Sequence, residues 1–262
     1  MTGPSPFVAR YGPWALVAGA SEGLGAAFAT ALAGRGLNVV LVARRAEPLA
    51  ELANRLPTRS ITVAADLSTD AGVTVACAAA AELEVGLVVA NAAYSPIGRF
   101  LDLTPEQTRR AVDLNCHAPL RLAHRFLPGM ATRGRGAFII MSSLAGLQGS
   151  PPISVYAATK AFGAILAEGL WAELRGSGVD VHVCVAGAVA TPGLASAKGR
   201  RAPGTLAPEQ VVEAALRGLG RGPRIVPGAL VRVSSVLMSR LLPRRAAIAM
   251  ISRASRDLTP PA

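Results

Sequence analysis

The chain has 262 residues, 51% hydrophobic and 16% charged, with three cysteines and a formal net charge of +11. That balance excludes a disordered chain. A chain of this length buries roughly 70–75% of the surface it exposes when unfolded, so no disulfide framework is required. Cys77, Cys116 and Cys184 are odd in number and lack a CxxC spacing, which reads as reduced thiols in a cytoplasmic protein.

The first residues carry no basic leader followed by an apolar run, so no signal peptide is expected. The uncharged stretch from Ala137 to Thr159 contains Gly146, Gly149, Pro151 and Pro152, a composition that does not suit a bilayer-spanning helix. The charge is unevenly spread. Residues 198–262 hold 12 basic and 3 acidic side chains, which accounts for +9 of the +11. The basic character therefore belongs to the C-terminal quarter and not to the whole chain.

Short apolar runs alternate with longer segments of helical period. Trp14–Ala18 reads as a first strand and Gly23–Ala33 as a helix closed by Gly34 and Gly36. Asn38–Ala43 is a second strand, followed by a helix to about Arg55. Ile61–Ala64 is a third, with a helix from about Thr69 to Leu83. Leu87–Ala90 is a fourth, and Ala137–Met141 a fifth after two helical stretches. A long helix near Val155–Leu174 precedes a sixth strand at Val181–Val185. Strands apolar on both faces and joined by helices imply an α/β fold, a doubly wound (Rossmann) parallel sheet. No linker interrupts residues 12–190, so one domain spanning 1–262 is expected. Residues 191–208, rich in glycine and proline, read as a substrate lid. Pro208–Leu219 reads as a helix, and 229–262 as a basic helical extension with segments at Leu230–Leu242 and from Pro243.

The first strand runs into Gly19-Ala20-Ser21-Glu22-Gly23-Leu24-Gly25 and then a helix. Three glycines at a strand-to-helix turn let the backbone approach a pyrophosphate, which the helix N-terminus attracts. The spacing is GxxxGxG, not the general GxGxxG. Ala43 is followed by Arg44 and Arg45 where an acid would bond a ribose 2′-hydroxyl. Guanidinium groups there suit a 2′-phosphate, which favours NADP (NADPH), with NAD as the alternative. Glu22 opposes that preference, because a carboxylate in the turn repels a second phosphate. Asp66, just past the third strand, either accepts from an adenine amino group or caps the next helix.

Tyr156 and Lys160 share one face at the start of a helix, four residues apart, so the ammonium can sit near the phenol. A free phenol has a pKa of about 10, and a neighbouring cation favours its ionised form. Ser143 follows the fifth strand, Asn91 follows the fourth, and Asn115 lies on the helical segment between them. All three fall where a cofactor at the carboxyl ends of the strands would lie.

Gly19-Ala-Ser-Glu-Gly23-Leu-Gly25, Asn91-Ala-Ala93, Asn115, Ser143 and Tyr156-Ala-Ala-Thr-Lys160 together resemble the motif series of the classical short-chain dehydrogenases/reductases, in order over residues 12–195. The resemblance implies a seven-stranded Rossmann fold and a catalytic tetrad of Asn115, Ser143, Tyr156 and Lys160. In it Ser143 holds the substrate oxygen and Tyr156 protonates it. Lys160 lowers the Tyr156 pKa and bonds the nicotinamide ribose, while Asn115 supports a water-linked proton path. Thr191 matches the position that bonds the carboxamide, and Leu67, Ala92, Gly187 and Val189 join the cofactor-binding set. Two motifs depart from the family pattern: Ala93 replaces a glycine, and Ala186-Gly187 replaces Pro-Gly. Both alter backbone geometry near the cofactor, not a reacting group.

These residues imply an NAD(P)-dependent oxidoreductase acting on a small carbonyl or secondary alcohol, preferring NADPH, as a homodimer or homotetramer. The alternatives are a non-catalytic cofactor sensor and a peripheral membrane reductase acting on a lipid-like substrate. The second draws on Arg240, Arg244 and Arg245 among Val236, Leu237, Leu241 and Ile248, a basic amphipathic pattern. That segment has no aromatic residue for base stacking, so nucleic acid is not an expected partner. His117, His124 and His182 show no metal-ligand spacing, and no metal is expected.

Overall fold

Seven parallel strands form one sheet in the order β3-β2-β1-β4-β5-β6-β7 in the computed structural model, which describes residues 5–190 and 204–254. The strands are β1 (Trp14–Ala18), β2 (Asn38–Ala43), β3 (Ser60–Ala64), β4 (Val85–Ala90), β5 (Gly136–Ser143), β6 (Val179–Ala186) and β7 (Arg224–Ile225). Every residue of β1 and β4 is buried, because helices cover both faces and apolar side chains serve both. One face packs on α2 (Gly23–Ala33), α3 (Ala46–Ala53) and α8 (Pro208–Arg217). The other packs on α4 (Asp70–Ala78), α6 (Ala118–Arg133) and α7 (Ser154–Glu173). The order reverses between β1 and β4, which opens a crevice at the carboxyl ends of the strands. That crevice positions the site.

Several boundaries differ from the sequence expectation. β5 extends to Ser143, so Ser143 ends the strand instead of following it. The helix expected to reach Leu83 stops at Ala78. A six-residue helix, α1 (Pro6–Tyr11), capped by Ser5, precedes β1; it is too short to show a period. The two helical stretches before β5 are α5 (Pro105–Val112) and α6, fused by a π turn at Asp113–His117. Pro119 has no N–H to give the Asn115 carbonyl in α register, and Ala118 N–H bonds the Asp113 carbonyl instead. The helix Pro151–Glu173 is long and apolar enough to cross a membrane by length and composition, yet its α7 part packs on the sheet and carries the buried Lys160.

The basic extension forms α9 (Ala229–Val236), a π turn at Leu237–Leu241 and α10 (Arg244–Ala254). It is tied to the loop after β5 by a bond from Arg244 Nη1 to the Leu147 carbonyl, 2.7 Å. Val231 of α9 is buried, and a Cβ on Gly187 would lie 2.8 Å from its Cγ2. Most of the expected lid, residues 191–203 with Thr191, lies outside the described residues. Its far end pairs with the segment that follows β6, where Ala190 N–H bonds the Leu206 carbonyl at 2.9 Å.

Candidate active site

The turn after β1 is shaped by two left-handed glycines, Gly19 (φ +79°) and Gly23 (φ +56°). A Cβ on Gly25 would fall 1.8 Å from the Gly19 carbonyl oxygen and 2.9 Å from Asn91 Nδ2. Asn91 Nδ2 donates to that same oxygen at 3.1 Å, which locks the turn to the end of β4. The N-terminus of α2 opens onto the crevice with no side-chain cap from Glu22, leaving its N–H groups for an anion. This tight cradle fits a dinucleotide pyrophosphate.

A cavity of about 510 Å³ runs from the turn across the strand ends. Gly19, Ser21, Glu22, Gly23 and Leu24 line one side. Arg44, Arg45, Asp66, Leu67, Asn91 and Ala92 line the rest. Gly25 is buried behind the turn. Leu114 and the alanines Ala43, Ala65 and Ala93 also line the cavity. Sequence reading placed Ala93 near the cofactor as a motif departure but did not assign the others, although Ala43 and Ala65 fall at strand ends and Leu114 adjoins Asn115.

The charges at the far end are unequal. Arg45 Nη2 meets Glu22 Oε2 at 2.7 Å, whereas Arg44 makes no ion pair among the described residues. Glu22 thus neutralises one guanidinium and leaves the other free. Asp66 does not cap α4; Thr69 does, accepting from Gly72 N–H at 3.0 Å. The Asp66 carboxylate accepts from Ser68 N–H at 3.0 Å and Oγ at 2.7 Å, and from Arg110 Nη2 at 3.1 Å.

Ser143, Tyr156 and Lys160 come together at the carboxyl edge beside this cavity, with Asn115 behind them. The Ser143 side chain lies close enough to the Tyr156 phenol to favour its ionised form, and its Oγ accepts from Ala145 N–H at 3.2 Å. Lys160 Nζ lies 5.5 Å from the centre of the Tyr156 ring and donates to the Met141 carbonyl at 2.8 Å. The expected lowering of the Tyr156 pKa is not what the geometry gives. Burial pushes the phenol above its ordinary value, and the nearby Ser143 opposes this only in part. The same burial pushes Lys160 down to about 8, against the opposing influence of Cys116. A protonated phenol at neutral pH is an acid ready to donate.

Asn115 is buried at the π turn. Its Oδ1 accepts from Tyr94 N–H at 2.8 Å, and its Nδ2 donates to the Tyr94 carbonyl and to Thr159 Oγ1, each at 2.9 Å. Pi turns recur at functional positions because they re-aim one side chain within a helix. Gly187 and Val189 follow β6 at the same edge; neither lines the cavity at the glycine turn. His182 in β6 is buried with neither ring nitrogen bonded. Among the described residues no group of three His, Cys, Asp or Glu could hold a metal.

The chain matches the short chain dehydrogenase family model over residues 13–201. It is 33% identical over 229 residues to a 7β-hydroxysteroid dehydrogenase of Collinsella aerofaciens, covering 84% of this chain and 87% of that one. A solved 7β-hydroxysteroid dehydrogenase structure superposes with a TM-score of 0.87 at 30% identity, covering 94% of this chain and 98% of the other. A short-chain dehydrogenase from Sphingobium yanoikuyae in complex with NADPH gives 0.75 at 31%, covering 88% and 96%. The chain belongs to the short-chain dehydrogenase family and is an NAD(P)-dependent dehydrogenase/reductase.

Proposed function

We propose that this enzyme uses NADPH to reduce the carbonyl of a bulky, largely apolar ketone, with a hydroxysteroid-type alcohol as the product. The observation that carries the reading is the convergence of Ser143 at the end of β5 with Tyr156 and Lys160 of α7, the ammonium 5.5 Å from the phenol ring, beside a glycine-cradled cavity. A nicotinamide bound in that crevice supplies the hydride. Ser143 holds the carbonyl oxygen and Tyr156 gives it the phenolic proton. Lys160, anchored on Met141, supplies positive charge to the phenolate so formed. Asn115 fixes the backbone of Tyr94 and the hydroxyl of Thr159, holding the wall of the site. The free Arg44 supports the NADPH preference. The apolar substrate class is supported by the likeness to 7β-hydroxysteroid dehydrogenases, which extends over 94% of this chain in structure.

The proposal includes a cytoplasmic homo-oligomer acting on a small molecule. Its support is the unpaired cysteines and an apolar groove of about 300 Å³ between α6 and α7, lined by Leu120, Leu127, Leu166 and Leu170. NADPH consumption over keto-steroids, acyl β-ketones, simple ketones and aldehydes tests the substrate class. Turnover confined to simple aldehydes overturns it. Size measurement by light scattering tests the oligomer, which a monomer would overturn.

A further inference from the structure

We propose that Arg110 and Tyr94 are positioning residues that tie the adenine seat of the cofactor to Asn115 and so to the catalytic tyrosine. Asp66 lines the cofactor cavity, and its two oxygens are held from opposite sides. Ser68 occupies Oδ1 with two donors, at 3.0 and 2.7 Å, while Arg110 Nη2 reaches Oδ2 at 3.1 Å from α5. Burial alone would push the Asp66 carboxyl up; the Ser68 bonds and the charges of Arg110 and Arg44 outweigh it and hold it low. An ionised carboxylate has about four acceptor positions, so Oδ2 keeps one for an adenine amino group. Arg110 fixes where that position points.

The same guanidinium lies 5.4 Å over the Tyr94 ring. Tyr94 follows the Asn91-Ala92-Ala93 wall of the cavity, and its backbone is bonded on both sides by the Asn115 side chain at 2.8 and 2.9 Å. Asn115 continues to Thr159 at 2.9 Å, and Thr159 Oγ1 donates to the Tyr156 carbonyl at 2.8 Å. Arg110 and Asn115 ride on one helix, separated by the start of the π turn. Each link is a hydrogen bond, an ion pair or a ring contact, and together they run from Asp66 in the cavity wall to the backbone of Tyr156. An arginine serving only as a surface ion pair would need no aromatic platform and would not have its Nε buried, as Arg110 does.

The inference rests on Asp66 being the adenine acceptor, and the test separates the two. Arg110→Met, Arg110→Lys, Tyr94→Leu and Asp66→Asn are compared for NADPH affinity by fluorescence titration, for turnover, and for melting temperature without cofactor. Loss of one partly exposed ion pair and one cation–π contact predicts NADPH binding weakened roughly 3–10-fold in Arg110→Met. Turnover falls with it while the ketone KM holds. Tyr94→Leu shows the same split, and Arg110→Lys recovers most of both losses. Because Arg110 and Asp66 share one link, Arg110→Met/Asp66→Asn binds NADPH no more weakly than Asp66→Asn alone. Wild-type affinity and turnover in Arg110→Met, with or without a lower melting temperature, overturn the inference, as does an additive double variant. Wild-type affinity in Asp66→Asn overturns the adenine seat itself.

Discussion

Arg44 and Arg45 are adjacent in sequence but unequal in structure, so removing each has a different consequence for cofactor choice. Arg45 is held 2.7 Å from Glu22, with the two side chains 58% and 53% exposed. A pair that open to solvent contributes at most ~1 kcal/mol, yet a 2′-phosphate can recruit Arg45 only in competition with that carboxylate. Arg44 makes no ion pair among the described residues, although its charge is felt by the Asp66 carboxylate. One charge-assisted bond to phosphate contributes ~1.5–3 kcal/mol, which is roughly 10- to 150-fold in affinity. Arg44→Ala should therefore weaken NADPH binding by about tenfold or more and leave NADH binding within about twofold. Arg45→Ala should weaken NADPH by less than Arg44→Ala does. Glu22→Gln should tighten NADPH, because it releases Arg45 and removes a negative charge beside the phosphate. Fluorescence titration of both cofactors, repeated as salt is raised, measures all three. Equal affinity of the wild type for NADH and NADPH, or an unchanged ratio in Arg44→Ala, refutes the reasoning.

Three further outcomes follow from the geometry. Gly25→Ala forces a Cβ to within 1.8 Å of the Gly19 oxygen; strain of ~1–3 kcal/mol weakens NADPH roughly 5- to 150-fold, and unchanged binding in the same titration would show the turn is not tight. Burial pushes His182 down from 6.5 to about 4, so its neutral form stabilises the fold above pH 6.5 and that stability drains as pH falls towards 4, by about 3 kcal/mol in all. Urea unfolding at the two ends of this window should show a smaller loss in His182→Met than in wild type; equal losses contradict the claim. Deleting residues 229–262 removes Val231 and the Arg244–Leu147 bond, so ketone KM rises and neither form floats with anionic liposomes. Salt-sensitive flotation of the full chain, abolished by the deletion, would instead make the segment interfacial.

Much of this architecture is written in local pattern. The central strands β1 and β4 are apolar on both faces, and the ends of β1, β4 and β5 carry Gly19, Asn91 and Ser143, so hydrophobic runs alone located the crevice. β7 was beyond reach because two residues, Arg224 and Ile225, show no period; the seventh strand rested on family resemblance. The π turn had no distinct sequence signal: Pro119 deprives the Asn115 carbonyl of its α-helical donor, but Pro128 does the same to His124 within α6, where no π turn forms. Pairings between distant residues had none. Glu22 with Arg45 and Asp66 with Arg110 arise from side-chain reach across the crevice. The direction of the Tyr156 shift was hidden for the same reason. Spacing placed a cation near the phenol, but the burial that sets the direction of its shift, opposed by Ser143, is a property of the folded packing.

The central claim is that the Tyr156 hydroxyl delivers the proton in carbonyl reduction. Tyr156→Phe deletes that oxygen and keeps the ring under Lys160 Nζ. NADPH titration and turnover on the same preparation separate binding from chemistry. The account predicts wild-type NADPH affinity with turnover lowered by the ~10²–10⁴-fold typical of a lost general acid. A variant that binds NADPH normally and keeps more than about a tenth of wild-type turnover would contradict it.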